Sequence, residues 1–348
     1  MIYFVRQQKV KDPAMPVTQV CQKFLQKSLS NTHAYRRDAL ISMSMTLVRG
    51  ASLTLTHIGR YLPGTAKVKH KIKRVDRLLA NPRLQKDIPE LYCSMSRQIT
   101  STLSHCLIAV DWSACWRQEF QMLRASLLFD GRAIPLLNRI EPLKRQGNHD
   151  VHVAFLDELK RILGPQKSVT IVTDAGYQSP WFTHVKTLGW DFVGRIRNNI
   201  QSLLDSETEW QNAKKLTAHA TRTPKALGAG WLSKTQKSRI SGHFYIYKSV
   251  SKGRKTKKVK FGASETEYSR RGKDAWLIFS SIATNKAREV INLYGKRMQI
   301  EQNFRDEKNA RFGLGGRYSG STGIPRLNVL CLLGIIASII MWFMGYLL

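Results

Sequence analysis

The order of strands and helices between residues 104 and 197 limits the possible folds more than any other feature of the sequence. Three β-rich segments come first, and a helix, a strand, a second helix and a further strand follow. Asp111 and Asp174 close the first and fourth strands, and Asp130-Gly131 is a hairpin turn signal. The pattern predicts a mixed α/β sheet with both acids at the edge where such a protein builds its site. The predicted strands cover 106–113, 121–130, 132–142, 168–177 and 190–197, and the predicted helices cover 149–163 and 180–189.

The balance of charged residues restricts the partners of the chain. Its 348 residues contain 56 Lys and Arg against 24 Asp and Glu, a net charge of +32. This charge predicts a polyanionic partner, with nucleic acid ahead of an anionic membrane. The length predicts two or three domains, and an apolar content of 43% excludes a disordered chain. Five cysteines without regular spacing indicate reduced thiols of a cytoplasmic protein rather than a disulfide scaffold.

Residues 1–100 are predicted to form an all-helical DNA-binding domain. Within it, a short helix ends near Pro63-Gly64 and a basic helix begins near Thr65. A helix, a tight turn and a basic helix are typical of a helix-turn-helix that lies in a major groove. The alternative is a basic helix whose charges are only solvated. The second helix carries the apolar stripe Val68, Ile72, Val75 and Leu79 and the candidate DNA contacts Lys67, Lys71 and Arg74.

The composition changes again over residues 201–275, which we predict to be a β-rich basic subdomain inserted into the catalytic domain. The two parts of that domain are then 101–200 and 276–348. Between Lys225 and Lys273 there are fourteen Lys and Arg residues. We expect this segment to face DNA, and a solvated loop is the alternative. The candidate DNA contacts in it are Lys252, Arg254, Lys255, Lys257 and Lys258.

A strong helix pattern follows in the segment INLYGKRMQIEQNFRDEKNARFGLG, which begins at residue 291. Tyr294, Arg297, Glu301 and Lys308 fall at offsets of 0, 3, 7 and 14, which places them on one stripe of a helix. An aromatic hydroxyl, two cations and an acid make a poor core stripe. They suit a face that meets metal ions and the phosphates beside them.

The sequence resembles bacterial insertion-sequence transposases of the cut-and-paste DDE type, which carry the signature Y-x2-R-x3-E-x6-K. All four signature positions are met, and the resemblance extends from about residue 30 to the end of the chain. It also agrees with the order of strands and acids, which is that of a ribonuclease-H-like core. The stretches that match are VDWS (110–113), LRAS (123–126), VTDAGYQSPWF (172–182), LGW (188–190) and YGKRMQIEQNFRD (294–306).

The resemblance implies a set of roles. Asp111, Asp174 and Glu301 become the catalytic, metal-binding triad, and Tyr294, Arg297 and Lys308 become contacts to phosphates of the transposon end. Two Mg²⁺ ions, for which Mn²⁺ can substitute, suit a site made of carboxylates. The expected substrates are double-stranded transposon ends and target DNA, bound by a homodimer. The expected chemistry is nicking, a hairpin intermediate and strand transfer.

Trp276 opens an apolar segment that lies 25 residues before Glu301. In related transposases a tryptophan near this spacing stacks on a base that is flipped out of the hairpin. A tryptophan packed in a buried strand explains the same position equally well. The sequence leaves both interpretations open.

The segment 327–348 contains 22 residues without a charge, enough to span a bilayer. The resemblance instead implies that it is the last helix of the catalytic core, so we expect no membrane contact and a cytoplasmic location. Three hypotheses follow: an active transposase, a truncated or repurposed relative that holds transposon ends without completing transposition, and a membrane-tethered basic protein. The first is the best supported, because the third gives no role to the signature.

Overall fold

The computed structural model describes residues 17–116, 119–197, 200–249, 275–311 and 313–347. The basic cluster at 252–258, which contains five of the predicted DNA contacts, lies outside these residues, so its predicted role stays a prediction. The proposed division into domains also stays a prediction.

The described strands join in one mixed ten-stranded sheet, in the order β3-β2-β1-β4-β5-β10-β9-β8-β6-β7. The central strands β1, β4 and β5 are parallel, and the remaining neighbours are antiparallel. This confirms the mixed sheet that the sequence predicts. The strands are β1 (His105–Ala114), β2 (Phe120–Leu127), β3 (Ile134–Pro142), β4 (Ser168–Thr173), β5 (Asp191–Ile196), β6 (Gln201–Leu204), β7 (Gln211–Asn212), β8 (Lys225–Leu232), β9 (Ile240–Tyr247) and β10 (Trp276–Ser280).

The described part of the predicted insertion does not form a separate sheet. Strand β10 pairs with β5 on one side and with β9 on the other. The strands from residues 201–247 therefore extend the central sheet. The extension shares the sheet of the part that carries the two aspartates.

Helices cover both faces of the sheet. Helices α5, α6 and α7 share one apolar cluster, and α9 and α10 pack over a second cluster on the opposite face. The helices are α1 (Val17–Ser28), α2 (Ala34–Val48), α3 (Leu55–Tyr61), α4 (Val68–Leu79), α5 (Pro82–Thr100), α6 (His149–Leu163), α7 (Ser179–Thr187), α8 (Ala213–Leu216), α9 (Ala287–Gly295), α10 (Met298–Lys308) and α11 (Ile324–Leu347).

The predicted helix-turn-helix corresponds to α3 and α4, with boundaries that differ by two to three residues from those predicted. The two helices approach closely at Gly59, where the missing side chain leaves space for the backbone of Ile72. A side chain at this position would collide with that backbone. Of the predicted apolar stripe on α4, Val75 and Leu79 are buried, whereas Val68 is 49% exposed. The stripe therefore covers only the C-terminal part of the helix.

The single long helix predicted around the signature is wrong. The chain forms α9 and α10, which are separated by a tight turn at Lys296 and Arg297. The amides of Arg297 and Ile300 each donate to the carbonyl three residues earlier, at 3.0 and 3.1 Å, which is the tighter 3₁₀ pattern. Gly295, a weak helix former, stands at the break.

Helix α11 contains the uncharged segment near the end of the chain. By length and composition residues 324–345 could span a membrane, yet 67% of the most apolar 18-residue stretch of this helix is buried inside the protein. The helix packs against α2, α5 and β3, and Leu330, Leu333 and Ile336 are fully covered. This is the packing of a core helix, as the resemblance implies.

Candidate active site

Asp111 and Asp174 meet on neighbouring parallel strands. The last parallel pair between β1 and β4 is Val110 with Thr173. Asp111 and Asp174 are the residues that follow this pair, one on each side. Asp174 follows β4 directly, and its Oδ1 accepts a hydrogen bond from the amide of Gly176 at 2.8 Å. The prediction that Asp111 ends its strand is wrong. Strand β1 continues to Ala114 because the antiparallel partner β2 still pairs with it there.

Arg297 joins Asp111 to Glu301. Its Nη1 lies 3.3 Å from Oδ2 of Asp111, and its Nη2 donates to Oε1 of Glu301 at 2.6 Å. The side chains of Arg297 and Asp111 are nearly buried, and that of Glu301 is 43% exposed. Asp111 thus shares one guanidinium group, 186 positions away in the chain, with Glu301.

The site has more negative than positive charge. Burial, with Asp174 as the next contribution, raises the pKa of the Asp111 carboxyl to about 7. Burial opposes the positive charge of Arg297, but Tyr294, Glu301 and Asp111 outweigh it and raise the pKa of the guanidinium above its ordinary value. Arg297 therefore pairs directly with two of the three carboxylates, and Asp174 acts on it through its charge.

The other two signature residues lie close to this centre. Lys308 donates from Nζ to Oγ of Ser113, two residues beyond Asp111, at 2.6 Å, and burial lowers the pKa of Lys308. Tyr294 is buried, and the Arg297 guanidinium lies 5.8 Å from its ring centroid. Tyr294 and Lys308 therefore flank the carboxylates, each in contact with a neighbour on the protein.

Trp276 lies at the start of β10 and belongs to an aromatic group beside the signature. Its ring meets the ring of Tyr294 edge-on, with centroids 4.9 Å apart, and that of Tyr247 at 5.4 Å. It is partly exposed, with the guanidinium of Arg195 6.0 Å from its ring centroid. Trp276 therefore has the features that both interpretations require. It packs against Tyr294, and part of its surface is exposed for stacking.

The predicted contacts of the helical region lie on α4, where they make no hydrogen bond or ion pair with the carboxylates. Lys67 and Arg74 are exposed, and Lys71 is partly exposed. They form a separate basic surface.

Sequence reasoning missed a buried ion pair beside the site. Arg124 of β2 and Glu307 of α10 meet through both pairs of atoms, with Nη1–Oε1 at 2.7 Å and Nη2–Oε2 at 2.9 Å. Nε of Arg124 donates to Asn138 at 2.7 Å, and the guanidinium lies 5.0 Å from the ring centroid of Phe304. The sequence feature that could have indicated this pair is Arg124 itself, a charged residue inside the apolar strand that contains LRAS.

The side chains of Trp112, His152 and Tyr177 form an aromatic wall beside the two aspartates. Trp112 donates from its indole nitrogen to Nε2 of His152 at 2.9 Å, and Tyr177 stacks on His152 with centroids 5.2 Å apart. Burial lowers the pKa of His152 to about 4, so the ring is neutral at pH 7. Burial, followed by Asp111 and Asp174, raises the pKa of Tyr177.

The chemistry of these side chains fits a divalent cation. Three carboxylates supply the hard oxygen ligands that Mg²⁺ and Mn²⁺ prefer, and their charge exceeds that of Arg297. As placed, no three His, Cys, Asp or Glu side chains in the described part of the chain form a group that could hold a metal ion. Glu301 is paired with Arg297 instead, and its side chain is 43% exposed.

Comparison with known proteins agrees with this site. The net positive charge of this α/β protein suits a polyanionic partner. The profile of the transposase DDE domain family matches residues 103–322, which is more than half of the chain. The chain belongs to this family of DNA-acting, nuclease-type enzymes, whose members generally use divalent metals. No curated protein matches the sequence.

Proposed function

We propose that the protein is a DNA transposase that binds terminal inverted repeats, cuts them in a metal-dependent reaction and joins the freed end to target DNA. The observation that carries this proposal is the group of three carboxylates from β1, the end of β4 and α10, in which Asp111 and Glu301 pair with Arg297 and Asp174 follows the strand beside Asp111. The family of the chain and its net charge of +32 support DNA as the substrate.

Asp111, Asp174 and Glu301 would hold the metal ions. Two bound divalent ions supply an activated water and stabilise the leaving 3′ oxygen of a phosphodiester. Asp111, in its anionic form, would gain a positive partner for its buried charge. Glu301 would exchange Arg297 for the metal, because its side chain is the most exposed of the three pairing groups.

Arg297 and Lys308 would then face the DNA backbone. The guanidinium released by Glu301 can offer two parallel N–H groups to a phosphate. Lys308, which now donates to Ser113, can offer its remaining N–H groups to a second phosphate. Tyr294 holds Arg297 in place through its ring.

The freed 3′-OH would react at the same centre. Its oxygen forms a P–O bond with the opposite strand while another P–O bond breaks, so a hairpin forms without an external energy source. Trp276 would stack on a base flipped out of that hairpin. Opening of the hairpin and attack of the 3′-OH on target DNA complete the reaction, which we expect a homodimer to carry out.

The alternative is a relative that binds transposon ends without cutting them. The basic surface on α4 serves both hypotheses, and only the carboxylate centre separates them. The test is a plasmid that carries the DNA flanking the reading frame, incubated with the protein in Mg²⁺, Mn²⁺ or EDTA. Nicks at inverted repeats that need the metal support the transposase, and specific binding without nicks in either metal supports the alternative.

A further inference from the structure

We infer that the cleft between α3–α4 and the segment before α11 binds the sugar–phosphate backbone of one DNA strand. The inference rests on the proposed function, because it takes DNA as the substrate. The cleft has a volume of about 910 Å³ and lies between the predicted helix-turn-helix and the start of α11. None of the predicted DNA contacts lines it.

The two walls of the cleft are fixed to each other. The amide of Leu53 donates to the carbonyl of Leu314 at 2.6 Å, which ties the start of α3 to the 314–323 segment. At the other end, Nη2 of Arg326 lies 2.6 Å from Oδ1 of Asp76 of α4. The cleft is therefore a formed surface between two parts of the chain that are more than 200 residues apart.

The lining carries donors of the kinds that proteins use for the DNA backbone. Hydroxyl groups, an imidazole and an arginine line it, and hydroxyl and arginine side chains are among the groups that contact phosphates in protein–DNA complexes. The hydroxyl groups of Thr56, Tyr318 and Thr322 make no hydrogen bond to another residue in the described part of the chain, and all three residues are exposed. These donors are available to a ligand.

His57 adds a donor of defined orientation. Its Nδ1 accepts from the amide of Ser52 at 2.7 Å, so the neutral ring carries its proton on Nε2. The ring lies in the lining of the cleft, and its second nitrogen is free of any hydrogen bond to the described residues.

The lining itself has no net charge, and the positive charge near the cleft comes from helix α4. The lining has one acid, Asp76, and Arg326 neutralises it. Helix α4, which provides Asp76, has five Lys and Arg residues against this single acid. The N-terminal end of the long helix α11 also meets the cleft through Thr322 and Arg326, and its dipole is positive at that end.

The position of the cleft suits a strand that runs between the two predicted DNA surfaces. The wall that contains Tyr318 continues to Gly316, which packs against the indole of Trp116 so closely that a side chain there would collide with it. Trp116 is five residues beyond Asp111 in the chain. A strand held by α4 can thus pass through the cleft toward the carboxylates.

The test is the salt dependence of binding to a labelled duplex of random sequence, measured by fluorescence anisotropy. Thr56→Glu combined with Thr322→Glu places two negative charges in the cleft. We expect a Kd at least about tenfold higher, and a slope of log affinity against log salt that is shallower by about 0.9 for each phosphate that the protein no longer neutralises. Thr183→Glu, at an exposed threonine of α7, is the matched control and should bind like wild type.

A second pair, Thr56→Val with Thr322→Val, removes the hydroxyl groups without adding charge, and we expect a Kd about threefold higher or more. If circular dichroism shows that the glutamate pair does not fold, the valine pair becomes the test of DNA binding in the cleft. If the folded variants keep the wild-type affinity and slope, the inference that the cleft binds DNA is wrong, and the proposed function is unaffected. Wild-type protein that does not bind duplex DNA at all would overturn the proposed function itself.

Discussion

Two arginines bind carboxylates of helix α10, and they do so in different ways. Arg124 meets Glu307 through two pairs of atoms and donates to Asn138, with one cation for one anion in a fully buried setting. Arg297 meets Asp111 and Glu301 through one nitrogen each, with Asp174 on the strand beside Asp111. The first pair matches one cation to one anion and holds α10 on the sheet. The second is short of positive charge, as expected of a site that takes up a cation.

The largest effect should come from Asp174→Asn. The change keeps the size of the side chain and removes an anionic metal ligand, so we expect cleavage to fall at least about a thousandfold, the equivalent of about 4 kcal/mol. DNA affinity should stay nearly unchanged, because it depends mostly on contacts between Lys or Arg and phosphates. Nicking and gel-shift assays on the same DNA measure both. An equal loss of binding and cleavage would point to a folding defect or to a different site.

Arg124→Met should mainly affect stability. It leaves Glu307 buried without a partner, and we expect the free energy of unfolding to fall by about 3–5 kcal/mol. The double variant Arg124→Met with Glu307→Leu removes both charges and should regain most of that stability. Urea unfolding of the three proteins measures it. A double variant no more stable than Arg124→Met would show that the two residues are not the matched pair described above.

The contrast between these pairs shows how far the sequence could predict the site. Asp111 and Asp174 could be placed together because each follows an apolar run, and the order of the strands makes those runs neighbours. The contact between Arg124 and Glu307 joins residues 183 positions apart, and no local pattern encodes it. The turn at Arg297 was missed for a similar reason, since the residues around it have the periodicity of a continuous helix.

The pH dependence of stability tests whether His152 in the aromatic wall is neutral, as the burial of its ring implies. Its pKa is about 4 in the folded protein against 6.5 ordinarily, so the unfolded chain takes up a proton first as the pH falls. Stability should therefore be unaffected above pH 6.5 and should drop by about 3 kcal/mol between pH 6.5 and pH 4. His152→Gln keeps an acceptor for Trp112 and should lose this part of the acid sensitivity.

Urea unfolding of wild type and His152→Gln at several pH values measures the difference, because the other titrating groups are common to both proteins. Identical pH profiles would mean that His152 titrates normally and that the wall is open to water.

A smaller effect should come from metal alone. Mn²⁺ at ten times its Kd should raise the free energy of unfolding by about 1.4 kcal/mol if it binds only the folded protein. Thermal unfolding with and without Mn²⁺ measures this in wild type, in Asp174→Asn and in Asp157→Asn, a control at an exposed acid of α6. Only Asp174→Asn should lose the added stability. A gain that persists in Asp174→Asn would place the bound ion elsewhere.

The most direct test of the carboxylate centre compares two acids of helix α10. Glu301→Gln removes one of the proposed ligands while its amide oxygen can still accept from Arg297. Asp306→Asn removes an acid that, within the described part of the chain, forms its ion pair with the half-exposed Arg132. Mg²⁺-dependent nicking of DNA with the terminal repeats should be abolished in Glu301→Gln and retained in Asp306→Asn. Nicking at the wild-type rate by Glu301→Gln would contradict the assignment of this centre as the active site.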